Sequence, residues 1–182
     1  LPSGVRAARW DGRTANGWAE LADGAVAIVN LAGANLAAGR WTAERRRVIV
    51  ESRVQAGEAV VEAIAAVAHP PRVLIQASAV GYYGPHGKEV ITEDAPPGDD
   101  FLARVCQAWE ASTAAVEARG VRRAIIRTGI VLSTSGGALP RLLMPYRFFA
   151  GGPLGSGAQW YPWIHARDEG AAIRFLMETP EA

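Results

Sequence analysis

The segment from Val73 to Gly84 constrains the fold of this chain more than any other. It reads VLIQASAVGYYG, in which three apolar β-formers lead into small residues, a serine and an aromatic pair closed by glycine. This pattern is typical of a buried parallel strand that ends in a loop. Ligands of open α/β sheets bind outside the carboxyl ends of such strands. We therefore place the candidate site at Ser78, where the strand meets the loop.

Other strand and helix patterns alternate with this segment. Strands are predicted at residues 25–30 and 124–127, with a shorter one at 5–9. A long helix should begin after Thr42 and end near Ala68, ahead of two prolines. The residues expected to form its apolar stripe are Val50, Val54, Gly57, Val61, Ile64 and Ala68. The alternation predicts a parallel sheet with right-handed crossovers.

The remaining elements are shorter. A second helix should begin at Asp99 or Asp100 and end at Gly120. Two glycines at 136–137 should break the chain before a helix near 139–149. A loop at 151–157 and a strand within 160–165 precede a last helix at 167–177, which Asp168 helps to start.

Composition limits the possible partners and location. The 182 residues carry a net charge of +1, which argues against nucleic acid as the main partner. No apolar run reaches the ~18 residues of a membrane span. The single cysteine, Cys106, excludes an internal disulfide and fits a reducing, cytoplasmic location. The three histidines have no metal-ligand spacing, so no metal is expected.

Several motifs in a fixed order resemble the epimerase-family atypical short-chain dehydrogenases/reductases. This family includes proteins described as nucleoside-diphosphate-sugar epimerases and as relatives of cell-division inhibitors. The motifs cover nearly the whole chain and are NLAG at 30–33, RWT at 40–42, SR at 52–53, ASAVGYYG at 77–84, TED at 92–94, CQAWE at 106–110, RTGIVL at 127–132, GPLGSG at 152–157 and WIH at 163–165.

The resemblance implies an α/β fold with a Rossmann-type parallel sheet in three α/β/α layers, which binds NADP(H). The whole chain, 1–182, would be part of that domain, and residues 136–165 would contribute to the substrate side. Asp11 is implied as an acceptor for the adenine amino group, with a solvated turn as the alternative. Leu31, Ala32 and Gly33 are implied near the adenosine, where glycine lets the backbone approach closely.

The resemblance also implies residues at the reacting end. Ala77, Ser78, Thr128, Gly129 and Ile130 would lie near the nicotinamide. Ser78 and Tyr83 are the catalytic candidates, although counting back from the Tyr-Gly pair selects Ala79 instead of Ser78. Substrate would be bound by Ala79, Tyr82, Tyr83 and Arg53. A charge on the surface of a basic helix is the favoured alternative for Arg53.

Two family features are missing. The GxxGxxG turn that normally opens the fold does not precede Leu1, so we expect a piece of a longer protein that lacks the first strand-helix-strand portion. The strand at 25–30 would then be an apolar edge, which favours a partner strand and makes a homodimer one expected assembly. The Tyr-x-x-x-Lys pair is also absent. Val105 and Trp109 have its spacing on the predicted helix, and neither exchanges protons.

These observations leave more than one function open. The first hypothesis is an NADP(H)-dependent oxidoreductase or epimerase that acts on a small polar substrate such as a nucleotide sugar. The second is a non-catalytic NADP(H)-binding regulator related to cell division, which the missing tyrosine and lysine favour. A third is that the chain binds no nucleotide, because it lacks the phosphate-binding turn.

Overall fold

The computed structural model describes residues 3–153 and 155–181. The described elements, in chain order, are β1 (Ala27–Asn30), α1 (Ala43–Ala66), β2 (Val73–Ala79), α2 (Phe101–Ala111), β3 (Arg122–Thr128), β4 (Ile130–Ser133), β5 (Gly136–Gly137), α3 (Ala138–Arg147), β6 (Trp163–His165) and α4 (Ala166–Glu178). Short 3₁₀ turns cover Ala19–Ala22, Val80–Tyr83 and Ala114–Arg119.

Three parallel strands form the main sheet in the order β1-β2-β3. Ala27 of β1 lies opposite Val73 of β2, and Val73 in turn lies opposite Arg122 of β3. The prediction that the strand at 25–30 lies beside the Val73 strand is confirmed. In the described part of the chain no strand pairs with the outer edge of β1, where Val29 is 36% exposed.

The core lies against the central strand. Leu74 packs with Val60 and Ile64 of α1 and with Val116 and Val121. Val73 and Ile75, which point to the other face of the sheet, are also buried, and α4 contacts β2 and β3. Helices therefore cover both faces, which is the predicted Rossmann-type arrangement.

Local signals predicted the starts of α1 and α2 correctly. Thr42 accepts a hydrogen bond from the Arg45 backbone N–H at 3.2 Å, and Asp100 accepts one from the Ala103 N–H at 2.8 Å. The predicted end of the second helix at Gly120 is wrong: α2 ends at Ala111, and a separate 3₁₀ turn follows at Ala114–Arg119. Gly120 closes that turn with φ +73°, a left-handed conformation that glycine adopts without strain.

The buried face of α1 differs from the predicted stripe. The buried residues are Ile49, Arg53, Ala56, Gly57, Ala59, Val60, Ala63 and Ile64. Only Gly57 and Ile64 belong to both sets. The helix is turned by about one residue because α2 and the loop after β1 pack beside it, and the spacing of valines does not record those neighbours.

Two further predictions need correction. Residues 5–9 form no strand. The glycines at 136–137 do not simply break the chain: they form β5, antiparallel to β4. With β6, which is parallel to β4, they make a second three-stranded sheet that sequence alone did not predict.

Candidate active site

Ser78 lies at the carboxyl end of β2 and points toward α2. Its side chain is buried, and its hydroxyl donates to Glu110 Oε1 at 2.6 Å. Ala79 is the next residue and points to the other face of the sheet, because side chains alternate along a strand. Of the two residues considered for this position, Ser78 is therefore the one that contacts α2.

Glu110 is held in turn by Arg127, at the end of the neighbouring strand β3. Arg127 Nε lies 2.9 Å from Glu110 Oε1, and Nη2 lies 3.0 Å from Oε2. The side chains are 20% exposed for Arg127 and 10% for Glu110. Hydrogen bonding to this carboxylate raises the pKa of Arg127 above its ordinary value. Such a two-point contact fixes the carboxylate in orientation as well as in position.

The same guanidinium organises the aromatic loop. Arg127 Nη1 donates to the Tyr83 hydroxyl at 2.9 Å and to the Glu93 carbonyl at 3.0 Å. The guanidinium carbon of Arg127 lies 3.6 Å from the centre of the Tyr82 ring. Arg127 therefore connects β3, the turn after β2 and the long loop that follows.

Helix α2 presents different residues to Ser78 from those that sequence spacing suggested. Val105 and Trp109 are buried, and the residues beside Ser78 are Cys106 and Glu110, also one helical turn apart. Burial raises the pKa of the Cys106 thiol, which keeps it protonated at neutral pH. The spacing identified the correct turn of the helix but a position one residue away.

Arg53 is buried between α1, α2 and the loop after β1. Its Nη1 donates to the carbonyls of Ala34 at 3.2 Å and Ile49 at 3.0 Å. Its guanidinium carbon lies 4.9 Å from the centre of the Trp109 ring. A Cβ on Gly33 would come within 3.0 Å of that carbon. The interpretation of Arg53 as a charge on the helix surface is therefore wrong.

A cleft of about 290 Å³ lies on the other side of the loop after β1. Asp11, Ala32 and Gly33 line it together with Ser52 and Gln55 of α1. The structure thus brings together three residues implied at the adenosine. Leu31, the fourth, is 61% exposed and is not among the lining residues.

The Asp11 carboxylate is already bound by its own turn. It accepts from the backbone N–H groups of Arg13 at 2.8 Å and Thr14 at 2.9 Å, and from the Thr14 hydroxyl at 2.9 Å. These bonds, the Arg13 N–H first, lower the Asp11 pKa. The residue is exposed, so its remaining lone pairs face the cleft or solvent.

The segment Thr128–Ile130 joins the two sheets. The Thr128 hydroxyl donates to Glu169 Oε1 at 2.7 Å, and the Ile130 N–H donates to the Pro162 carbonyl at 2.8 Å. A Cβ on Gly129 would lie 2.8 Å from that carbonyl oxygen, so glycine is required by the close approach. Ala77, implied at the same end of the cofactor, is buried within β2.

A second cavity, of about 570 Å³, lies within residues 136–165. It is lined by Arg141, Leu142, Pro145, Tyr146, Ala150, Gly152, Pro153 and Tyr161. Within the GPLGSG motif, Leu154 lies outside the described residues. The Tyr146 hydroxyl donates to the Gly152 carbonyl at 3.1 Å and holds one wall of the cavity.

Sequence reasoning missed Glu110 and Arg127. Both are charged residues placed where buried residues are expected: Glu110 follows Trp109 on the inner face of α2, and Arg127 follows the apolar run at 124–126 near the end of β3. Two opposite charges in such positions are a signal of pairing, because an unpaired charge is rarely buried.

No group of three or more His, Cys, Asp or Glu side chains in residues 3–153 and 155–181 is arranged to hold a metal ion. Over the same residues, no helix combines the length and the apolar character that crossing a bilayer requires.

Comparison with known proteins identifies a family. Residues 7–182 match the family described as NAD dependent epimerase/dehydratase. The Arabidopsis thaliana epimerase family protein SDR39U1 homolog, a chloroplastic protein, is 44% identical over 153 residues, which are 83% of this chain and 44% of that protein. The chain spans about half the length of the curated relatives it matches.

Solved structures show the same fold. Human epimerase family protein SDR39U1, crystallised with NADPH, superposes with a TM-score of 0.82 at 33% identity, covering 91% of this chain and 58% of that one. A nucleoside-diphosphate sugar epimerase from Corynebacterium glutamicum superposes with a TM-score of 0.79 at 37% identity, covering 96% and 36%.

Proposed function

Since this chain belongs to the NAD dependent epimerase/dehydratase family, we propose that it forms part of an NADP(H)-binding oxidoreductase or nucleotide-sugar epimerase. The observation that carries the proposal is the meeting of three strand ends at one edge of the parallel sheet. Gly33 follows β1, Ser78 lies at the end of β2, and Thr128 ends β3, opposite Ala79. Dinucleotides bind across such an edge.

The cofactor is proposed to lie along this edge. The cleft at Asp11, Ala32 and Gly33 takes the adenosine half, with Leu31 at its rim. Its size of about 290 Å³ suits part of a dinucleotide. Ala77, Ser78, Thr128, Gly129 and Ile130 take the nicotinamide half. The human relative crystallised with NADPH supports this choice of cofactor. Bound NADP(H) would supply or accept a hydride.

Hydrogen-bond polarity assigns different roles to the two catalytic candidates. Ser78 donates its proton to Glu110, so its oxygen is left to accept from a ligand hydroxyl or N–H. Tyr83 accepts from Arg127, so its own proton is left to be donated. Tyr83 is thus the proposed proton donor, Ser78 the acceptor, and Glu110 and Arg127 are positioning residues.

The substrate is proposed to be a small polar molecule such as a nucleotide sugar. The C. glutamicum relative, described as a nucleoside-diphosphate sugar epimerase, supports this class. Ala79, Tyr82, Tyr83 and Arg53 are its proposed contacts. The cavity within residues 136–165 supports a substrate-side role for that segment of the domain. A cytoplasmic location, based on the lone cysteine, and a homodimer, based on the edge of β1, belong to the same proposal.

A non-catalytic NADP(H)-binding regulator is the second candidate. One observation favours it: the residues beside Ser78 on α2 are a thiol kept protonated by burial and a carboxylate committed to an ion pair. Neither replaces the tyrosine and lysine of the usual mechanism. In this case the Ser78–Glu110–Arg127 contacts would hold the fold around a bound nucleotide.

Titration with NADPH, followed by nucleotide fluorescence, tests the proposal. Gly33→Val would press a Cβ to 3.0 Å from the Arg53 guanidinium carbon and displace the loop that lines the cleft, so it should weaken NADPH binding at least tenfold. Gly170→Ala is the matched control, because a Cβ there meets nothing within 4 Å. Absence of NADPH binding by the wild-type protein would contradict both candidates. Binding without turnover across nucleotide-sugar substrates would favour the regulator.

A further inference from the structure

The buried guanidinium of Arg53 lacks an acidic partner. The residue is 9% exposed. No carboxylate in the described part of the chain forms an ion pair with it, although other arginines there are paired. Its hydrogen bonds go to two backbone carbonyls, both from Nη1. Among residues 3–153 and 155–181, Nε and Nη2 therefore have no acceptor.

A buried charge of this kind is costly unless something neutralises it. Burial is the main reason why the pKa of Arg53 is lowered, and no nearby anion offsets that effect fully. The Cys106 thiol beside it is itself protonated, since burial raises its pKa. Glu110 on α2 is already paired with Arg127. No carboxylate among the described residues therefore compensates Arg53, and the positive charge of Arg45 lowers its pKa further.

The position of this charge is between the two halves of the candidate site. Gly33, which lines the cleft at the end of β1, lies against one side of Arg53. Trp109 of α2 also contacts it, with its ring centre 4.9 Å from the guanidinium carbon. The Trp109 indole N–H is also buried without a hydrogen-bond partner. Arg53 Nε and Nη2, which bond no acceptor among the described residues, and the buried Trp109 N–H are therefore unused donors at this point.

We propose that Arg53 is an anion-binding residue, and that its natural counter-ion is a phosphate group of the ligand. A guanidinium offers a planar pair of N–H donors that matches two phosphate oxygens. This inference rests on the proposed function for its ligand class. The phosphate belongs either to the dinucleotide cofactor or to a nucleotide-sugar substrate. Both carry a pyrophosphate, and the test separates them.

The experiment measures how much the phosphates contribute to binding. Calorimetry compares uridine diphosphate with uridine, and NADPH is titrated separately, for the wild type, Arg53→Met and Arg53→Lys. If the phosphate comes from the substrate, wild type should prefer uridine diphosphate over uridine by about tenfold to a hundredfold, the range of a charge-assisted hydrogen bond. Arg53→Met should abolish this preference, and Arg53→Lys should keep part of it. If the phosphate comes from the cofactor, Arg53→Met should instead weaken the binding of NADPH by about tenfold to a hundredfold.

Arg47→Met is the matched control. Arg47 lies on the same helix, is exposed, and is paired with Glu44 at 2.7 Å and Glu51 at 3.1 Å. Arg47→Met should change neither the preference for uridine diphosphate over uridine nor the affinity for NADPH. Arg53→Gln gives the same comparison if Arg53→Met does not fold.

The melting temperature distinguishes a ligand-binding role of Arg53 from a purely structural one. Since Arg53→Met removes an uncompensated buried charge, the ligand-free variant should melt no lower than wild type. A lower melting temperature with unchanged preference for phosphates overturns the proposal. So does wild-type protein that binds neither phosphate-bearing probe. Equal NADPH binding by wild type and Arg53→Met, with no preference for uridine diphosphate, overturns it while leaving the proposed function intact. Arg53-dependent binding of uridine diphosphate without any NADPH binding supports it and contradicts the proposed function.

Discussion

Glu110 and Arg127 form a two-point ion pair, 2.9 Å and 3.0 Å between the bonded atoms, that joins helix α2 to the end of strand β3. The carboxylate also receives the Ser78 proton, and the guanidinium also donates to Tyr83. The pair therefore fixes both catalytic candidates at once. Within the described part of the chain, Ser78 and Tyr83 form no hydrogen bond with each other.

Breaking this pair should destabilise the protein strongly. Arg127→Met leaves the buried Glu110 carboxylate without its cation, which costs about 3–5 kcal/mol in the free energy of unfolding. The double variant Glu110→Leu/Arg127→Met should recover much of this loss, because no charge then stays buried. Urea unfolding measures both.

The exposed pair Arg174–Glu178 provides the control. Its side chains are 76% and 62% exposed. Arg174→Met should leave the free energy of unfolding nearly unchanged, since solvent screens such pairs. A loss in Arg174→Met equal to that in Arg127→Met would contradict the structural role given to the buried pair.

Catalysis should depend on Tyr83 and Ser78. In a protein that shows NADPH-dependent turnover, Tyr83→Phe removes the proton donor and should lower kcat by about 10²–10⁴-fold. Ser78→Ala removes the acceptor and should lower kcat as well. Steady-state kinetics on the same substrate measures both.

Val105→Ala tests whether such losses are specific. Val105 is buried on α2 but cannot exchange protons. It should cost about 1 kcal/mol of stability with little change in kcat. Full kcat in both Tyr83→Phe and Ser78→Ala would exclude catalysis by this loop.

Two helical glycines should respond to alanine in opposite directions. A Cβ on Gly57 would lie 1.9 Å from Ser112 Oγ and 2.8 Å from Ser112 Cβ. Gly57→Ala should therefore cost about 1–3 kcal/mol by overpacking the contact between α1 and the end of α2. Gly170→Ala on α4 meets nothing and should add about 0.5–1 kcal/mol, because alanine favours a helix. Thermal unfolding compares them, and a gain in Gly57→Ala would show that the helices are not this close.

The loop after Tyr83 should respond to acid. The pKa of Glu89 is lowered from 4.5 to about 2, first by its own backbone N–H and then by His86, whose Nδ1 lies 2.9 Å from Oε1. A carboxyl with a lowered pKa stabilises the folded loop above pH 4.5, and this contribution is lost as the pH falls toward 2. NMR titration of the Glu89 carboxyl carbon should show the low pKa, and His86→Ala should raise it. An unchanged pKa in that variant would rule out the His86 contact.

The local pattern of the sequence was enough to predict the main sheet and to choose the strand end where the candidate site is proposed. Three β-forming runs, each followed by small residues and separated by capped helices, allow little besides parallel strands with helices on both faces. The same pattern put Ser78 at a strand end. These features depend on residues near one another in the chain, so spacing and helix caps record them.

Contacts between distant parts of the chain were decided by the tertiary structure alone. Glu110 meets Ser78 and Arg127 because α2 packs over the ends of two strands, and its rotation there, which selects Cys106 and Glu110 over Val105 and Trp109, depends on neighbours from elsewhere in the chain. In the sequence, Arg53 is indistinguishable from the other charges of a basic helix. Only the folded structure shows that it is buried against Gly33 and Trp109. Burial is a property of the packed molecule. Because of it, Glu110 and Arg127 form a buried ion pair, whereas Arg53 is a buried cation without a carboxylate partner among the described residues.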